Sequence, residues 1–428
     1  VFRLRTRSVV PTPSGEGRDA DPVLRGPSIV ARGGESPSAR PIRSGTSGPP
    51  PAECKRRMKM SERFGPRRRR FLVAAFAAPA FVATIALSKT EQCTVELDLV
   101  ADADGAAAHT DANLVNAWGV AFVPGGFAWV ANNHSSTSTA YDGAGVALPT
   151  VVTIPGATGS GNPGAPTGVV YNATPDFVEG DGATAAPATL IFAGEDGVIS
   201  AWKGALDGTT ARLVADSSAG GAIYKGLAIA NDGAANFLYA TDFHNGKVDV
   251  FDKAFAPFTS PGGFQDKKIP KGYAPFGIQN VGGLLYVTYA QQDANKQDDT
   301  PGKSKGFVNC FDANGFLVRH FAQRAHLNAP WGMAQAPTDF GGFGKNLLVG
   351  NFGDGTISAF DIESAHFVGQ VSKLTGKPVA IEGLWGIAFG NDAHVQPHQT
   401  LFFAAGPGDE AHGLYGRLDP GDCVRGGK

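Results

Sequence analysis

From Cys93 onward the chain alternates short apolar runs with clusters of Gly, Asn and Asp, and the alternation recurs. Six segments share an apolar-Gly-apolar opening: "NAWGVAF" at Gly119, "APTGVVY" at Gly168, "IYKGLAI" at Gly226, "APFGIQN" at Gly277, "APWGMAQ" at Gly332 and "GLWGIAF" at Gly386. The glycines lie 49, 58, 51, 55 and 54 residues apart. Each opening is followed by a second apolar run, such as "FLYATDF" or "LLVGNFG", and most units end on a third, such as "GKVDVFD" or "GTISAFD". Alternating β-branched and aromatic residues between turn formers predict strands. Three or four strands per unit, repeated six times, predict an all-β fold, a six-bladed β-propeller over 93–419.

The last unit supplies only three strands before the chain runs out, at 386–390, 401–406 and 412–419. The segment "VELDLV", 95–100, has no other home, so it is expected to complete the last blade and remove its open edge. Antiparallel pairing of 95–100 with 412–419 would bring Cys93 and Cys423 to one side, where they either pair as a disulfide or stay apart on fraying tails. Cys310 falls within a strand and reads as a small buried apolar residue.

Composition changes the picture mainly at the front. Residues 1–70 hold 17 of the 37 Lys and Arg and 6 of the 39 Asp and Glu, which leaves 20 basic against 33 acidic residues in the remainder. The presumed fold is therefore acidic and lacks the cationic face that a nucleic-acid partner requires. Residues 1–59, rich in Arg, Pro, Ser and Gly, are expected to stay disordered, and translation is expected to start at Met58 or Met60. From there "MSERFGPRRRRFLVAAFAAPAFVATIALS" reads over 60–88 as an export signal with an apolar stretch from Phe71 to Leu87. It is short for a stable membrane span and carries Pro79 at its middle. Residues 420–428 read as a tail. The expected location is periplasmic or extracellular, where an oxidising environment would let cysteines pair.

Candidate chemistry lies at the turns between second and third strands, which in a propeller open around one end of the central channel. "YATDFHNGKVDVFD" carries Asp242 and His244 just before an Asn245-Gly246 hairpin turn. The matching positions elsewhere are also polar: Asn132, Asn133 and His134; Glu195 and Asp196; Asp293; Asn351 and Asp354; Asp409, Glu410 and His412. Glu195, Asp242, Asn351 and Asp409 together would suit Ca²⁺ or another divalent cation, with His244 and His412 as ligand-binding groups. Asp and Asn at such sites also cap their own turns, so each residue has a purely architectural alternative. Lys225 stands where other blades place Trp, Phe or Thr before the glycine, and could pair with the acidic ring or bind an anionic ligand. Trp118, Trp331 and Trp385 are expected to pack between blades. The polar insertion "QQDANKQDDTPGKSKG", 291–306, is long enough to lid the channel. The sequence holds no phosphate loop, no C-x-x-C and no H-E-x-x-H.

Segments such as "NLVNAWGVAF", "DFHNGKVDVFD", "NLLVGNFGDGTISAFD" and "GPGDEAHGLYGRL" resemble a family of exported bacterial six-bladed propellers of unestablished function, some with a PEP-CTERM sorting tail. This chain ends in "DPGDCVRGGK", so sorting by that route is not expected. The blades are more distantly similar to NHL repeats and to gluconolactonase- and paraoxonase-like calcium-dependent hydrolases, a likeness of fold that transfers no residues. Three functions follow as expectations. The first is binding of a small molecule or envelope protein at the loop face, with a structural divalent cation. The second is a metal-dependent hydrolase of lactonase type, and the third a structural envelope protein.

Overall fold

The computed structural model describes residues 92–182 and 185–423. The expectations for 1–59 and for an export signal over 60–88 fall outside them, as do residues 424–428. Five four-stranded antiparallel blades, each laid down from its innermost strand outward, are followed by a sixth that forms part of a six-stranded sheet and takes its fourth strand from the start of the described chain. Their innermost strands are Ala117–Phe122, Pro166–Tyr171, Tyr224–Asn231, Tyr273–Val281, Pro330–Gln335 and Leu384–Phe389. Among the described residues the only α-helix is the four-residue Gly204–Asp207, and no helix is long and apolar enough to cross a membrane.

The chain closes on itself in the sixth blade. Cys93–Ala101 pairs antiparallel with Leu414–Gly421, Val95 opposite Asp419 and Ala101 opposite Leu414, and so becomes that blade's outer strand. At the end of this pairing Cys93, itself opposite Gly421, is joined to Cys423 by a disulfide that spans 330 positions of sequence. Cys310 is buried as a free thiol.

Burial follows the same order. Six apolar clusters fill the six interfaces between neighbouring blades, each built from the facing sides of two sheets. Trp129 and Trp202, for example, meet between blades one and two, and Phe402 and Tyr415 face Val130 and Tyr141 between blades six and one.

The repeated glycine has a physical cause. A methyl group added at Gly119 would lie 2.6 Å from the carbonyl oxygen of Thr167, and one at Gly168 would lie 2.6 Å from the backbone nitrogen of Leu227. Gly226 faces Phe276, Gly277 faces Trp331, Gly332 faces Trp385, and Gly386 returns to Trp118. Each inner strand thus presses its glycine on the backbone of the next blade, and the sixth presses on the first. Any side chain there would push neighbouring blades apart. In every blade the pairing of the first two strands shifts register beside this close approach, as between Ala117 and Val120 or Leu384 and Ile387.

Two outcomes check this account. Gly277→Ala, whose new carbon would meet the Trp331 oxygen at 2.1 Å, is expected to cost about 3 kcal/mol or more. Gly226→Ala, with its nearest atom at 3.0 Å, is expected to cost clearly less in the same denaturant titration. Reduction of Cys93–Cys423 is expected to lower the thermal midpoint, with roughly 6 kcal/mol as the upper bound from chain entropy for so long a loop.

Candidate functional site at the channel mouth

The six residues that precede the six glycines form a ring across one end of the channel: Trp118, Thr167, Lys225, Phe276, Trp331 and Trp385. Trp118 stacks on Trp385 with centroids 3.5 Å apart, Phe352 stacks on the other side of that contact at 4.0 Å from Trp385, and Trp331 meets both indoles edge-on. The tryptophans therefore meet one another across the axis, where the sequence placed them between blades. Behind this floor the glycine-lined channel encloses only about 40 Å³, room for about one water. The mouth is a blind site.

Lys225 is the charged member of the ring and is 2% exposed. Its ammonium lies over the faces of Trp118 and Phe243, 5.2 and 5.9 Å from the ring centroids. It donates to Glu195 Oε1 and, at 3.1 Å, to Asp298 Oδ1. Its backbone carbonyl accepts the Trp331 indole N–H at 2.9 Å. Burial alone would pull the ammonium's pKa down, but the two carboxylates outweigh it and hold it above the usual lysine range. Glu195 in turn accepts from Asn133 Nδ2 at 2.8 Å. Polar contacts thus run from blade one through blades two and three to the long insertion of blade four.

Two further carboxyl groups crowd this charge. Burial, reinforced by the negative charge of Glu195, pushes Glu410 up to about 7. Burial also pushes Asp299 up to about 7, with Lys225 opposing it in part. Asp409 and Glu410 both sit at positive φ, 53° and 65°, a conformation that costs non-glycine residues energy and that collects at functional sites. Three buried polar atoms in this neighbourhood lack any hydrogen-bond partner: Trp118 Nε1, Trp385 Nε1 and Asp299 Oδ2.

The other sequence-derived candidates divide by position within the turn. Asp242 and Asn351 are the last residues of their second strands, wholly buried, and committed to their own hairpins. Asp242 accepts the backbone N–H groups of Ile223 and Asn245 and the Asn245 side-chain amide. Asn351 accepts the Asn328 N–H and donates to His326 O and Thr356 Oγ1. Side chains alternate along the chain, so the next residue, Phe243 or Phe352, is the one that joins the floor. His244 lies against Gly221 instead, with Nδ1 buried and unpartnered. His412 pairs at 3.0 Å with Asp102, and Asp409 is exposed.

Glu195, Asp242, Asn351 and Asp409 thus do not fit one divalent cation: two are spent on turns and Glu195 is held by a lysine. Among the described residues no group of three or more His, Cys, Asp or Glu side chains is placed to hold a metal ion. The ammonium of Lys225 supplies the positive charge that the carboxylates need. Asp298, Asp299, Phe243 and Phe352 were missed as site residues, although the anomalous Lys225 and the long insertion both pointed toward them.

The fold and this mouth define a six-bladed β-propeller with a buried, lysine-centred polar cluster at one end of its channel. No family model matches the sequence. Among curated proteins, the uncharacterized protein R648 of Acanthamoeba polyphaga mimivirus is 34% identical over 328 residues, 75% of this chain and 78% of that one. The uncharacterized protein L690 of the same virus is 33% identical over 330 residues, 75% of this chain and 84% of that one. The chain belongs to the family of these two proteins. They are viral, where the sequence motifs pointed to exported bacterial propellers. Among solved structures, virginiamycin B lyase from Staphylococcus aureus shares 14% identity at a TM-score of 0.41, over 77% of this chain and 99% of that one. The PQQ-bound aldose sugar dehydrogenase of Streptomyces coelicolor shares 15% identity at 0.41, over 77% and 100%. These likenesses bring none of those proteins' chemistry with them.

The raised carboxyls give a signed pH dependence. Asp299 and Glu410 keep their protons in the fold up to about 7 but would lose them near the ordinary carboxylate range once unfolded. Their contribution is fully present below about pH 4 and is lost as pH rises through about 7. The thermal midpoint is expected to fall between pH 5 and pH 8, and Glu410→Gln is expected to raise it at pH 8 while changing little at pH 5. A wild-type and variant difference independent of pH would contradict this.

Proposed function

We propose that this protein is an exported propeller that binds a small molecule at the loop-face mouth of its channel. The observation that carries the reading is Lys225: a fully buried ammonium set on an aromatic floor among four carboxyl groups, in a ring whose other members are uncharged. A fold does not need this arrangement for stability. Taking such charges out of water costs several kcal/mol per ion, and an apolar replacement of a buried ion pair is often neutral or stabilising. The other five ring positions close the axis without any charge. The unpartnered indole N–H groups of Trp118 and Trp385 add donors without acceptors, a further cost that a bound polar molecule would remove. Export is supported by the signal-like stretch over 60–88 and by the Cys93–Cys423 disulfide, which suits an oxidising compartment.

The test is whether the cluster serves the fold or sacrifices stability for binding. At pH 6 the double variant Lys225→Met/Glu195→Gln is expected to unfold at the same denaturant concentration as the wild type, or higher. A survey of sugars, amines and organic acids at millimolar concentration is expected to find at least one class that raises the wild-type midpoint and leaves the double variant unmoved. Ca²⁺ is expected to produce no specific shift, because Asp242 and Asn351 are committed to their turns. A double variant less stable by more than about 2 kcal/mol, together with no class that separates the two proteins, would make the mouth a structural device.

A further inference from the structure

The mouth is covered in this structure, and the cover reveals the chemistry of what it displaces. The insertion 291–306 is tied at its base by Thr300 N–H to Gln291 O at 2.7 Å and by a bridge between Gln292 and Asp299. Its tip is a preformed turn in which Asp293 accepts the Gln297 N–H at 2.8 Å. Gln292 Nε2 fastens it to the carbonyls of Phe243 and His244. From this loop Asp298 reaches Lys225 at 3.1 Å with its side chain 63% exposed, whereas the other carboxylate on that ammonium, Glu195, is 21% exposed. Asp298 is therefore the outer and more weakly held partner. Its neighbour Asp299 is carried inward with Oδ2 buried and unsatisfied, so closing the loop leaves an uncompensated polar group.

We propose that Asp298 is an internal stand-in for the carboxylate of a small organic acid, which takes its place on Lys225 when the 291–306 loop lifts and lies with its body against Trp118 and Trp385. This rests on the reading of the mouth as a binding site. Charge favours an anion over a cation in the exchange. Asp298 and Asp299 belong to the same loop, so lifting it removes two of the four carboxyl groups at once. Lys225 is then left with Glu195, from blade two, and Glu410, from blade six. An incoming carboxylate restores the anionic partner that Asp298 had supplied. The donor set agrees: Lys225 regains its second acceptor, the Trp118 ring with its free indole N–H lies beside it, and Trp385 with a second free N–H stacks on Trp118. The apolar floor favours an acid with an apolar body.

Three probes of matched shape separate the alternatives: phenylacetate, 2-phenylethanol and 2-phenylethylamine, measured by calorimetry on the full chain. Asp298→Ala changes an exposed side chain and is expected to fold as the wild type does. It is expected to bind phenylacetate on the order of ten-fold tighter than the wild type, the ratio for an internal competitor that holds the receptor about nine-tenths of the time. The alcohol and the amine are expected to gain nothing, and Asp298→Ala/Lys225→Met is expected to lose the phenylacetate gain. Phenylacetate binding that is absent from Asp298→Ala, or no tighter there than in the wild type, overturns the proposal. Binding of the amine that depends on Lys225 and Glu195 also overturns it while leaving the mouth a binding site. No Lys225-dependent binding of any probe, joined to a destabilised Lys225→Met/Glu195→Gln protein, removes both readings.

Discussion

Everything in this molecule depends on how closely six inner strands approach one another. Each places a glycine on the backbone of the next blade, and the contact at Gly386 returns to Trp118, where the circle began. Space for a single extra carbon is missing at most of these points, so the constraint is steric and falls on one residue type. It sets the bore of the channel at the level of the glycines, where only about 40 Å³ is free. It also sets the mouth, because the residue before each glycine is forced toward the axis.

That geometry explains why a lysine can be buried here. Lys225 occupies a position that tryptophan, phenylalanine or threonine fills in the other blades, and its side chain is 2% exposed. Its charge must be met by neighbours. Glu195 meets it from one adjacent blade and Asp298 from the insertion of the other, while Trp118 and Phe243 offer their ring faces. Burial, with the neighbouring carboxylates adding to it, makes Glu410 and Asp299 hold their protons to about neutral pH. The mouth is thus a balanced cluster near its titration point, which a small change of occupant or of loop position can tip.

Architecture was legible in the sequence because repetition and period are properties of strands. Blade count, strand order and the closing role of 95–100 all follow from apolar runs and turn residues, and the pairing of Val95 with Asp419 lies where that reading puts it. The site was legible only in part. Lys225 stood out because it broke a repeated position, and Glu195 because it followed a strand directly. Asp242 and Asn351 share the composition of site residues but fall one residue earlier, where alternation turns the side chain into its own hairpin. Nothing in a linear pattern distinguishes those two positions until the end of each strand is known. Asp298 and Asp299 lie in a loop without repeat partners, and only the fold carries them to the axis.

The central claim is that the ring of close contacts seals Lys225 away from solvent between carboxylates of two neighbouring blades. Amine-reactive labelling of the folded chain, read residue by residue by mass spectrometry, tests it most directly. Lys247, with nearly half its side chain exposed, serves as the internal reference. Lys225 is predicted to react in the native protein at about a tenth of the rate of Lys247 or more slowly, and at the full rate only once the protein unfolds. Labelling of Lys225 at the rate of Lys247 in the native protein would contradict the account.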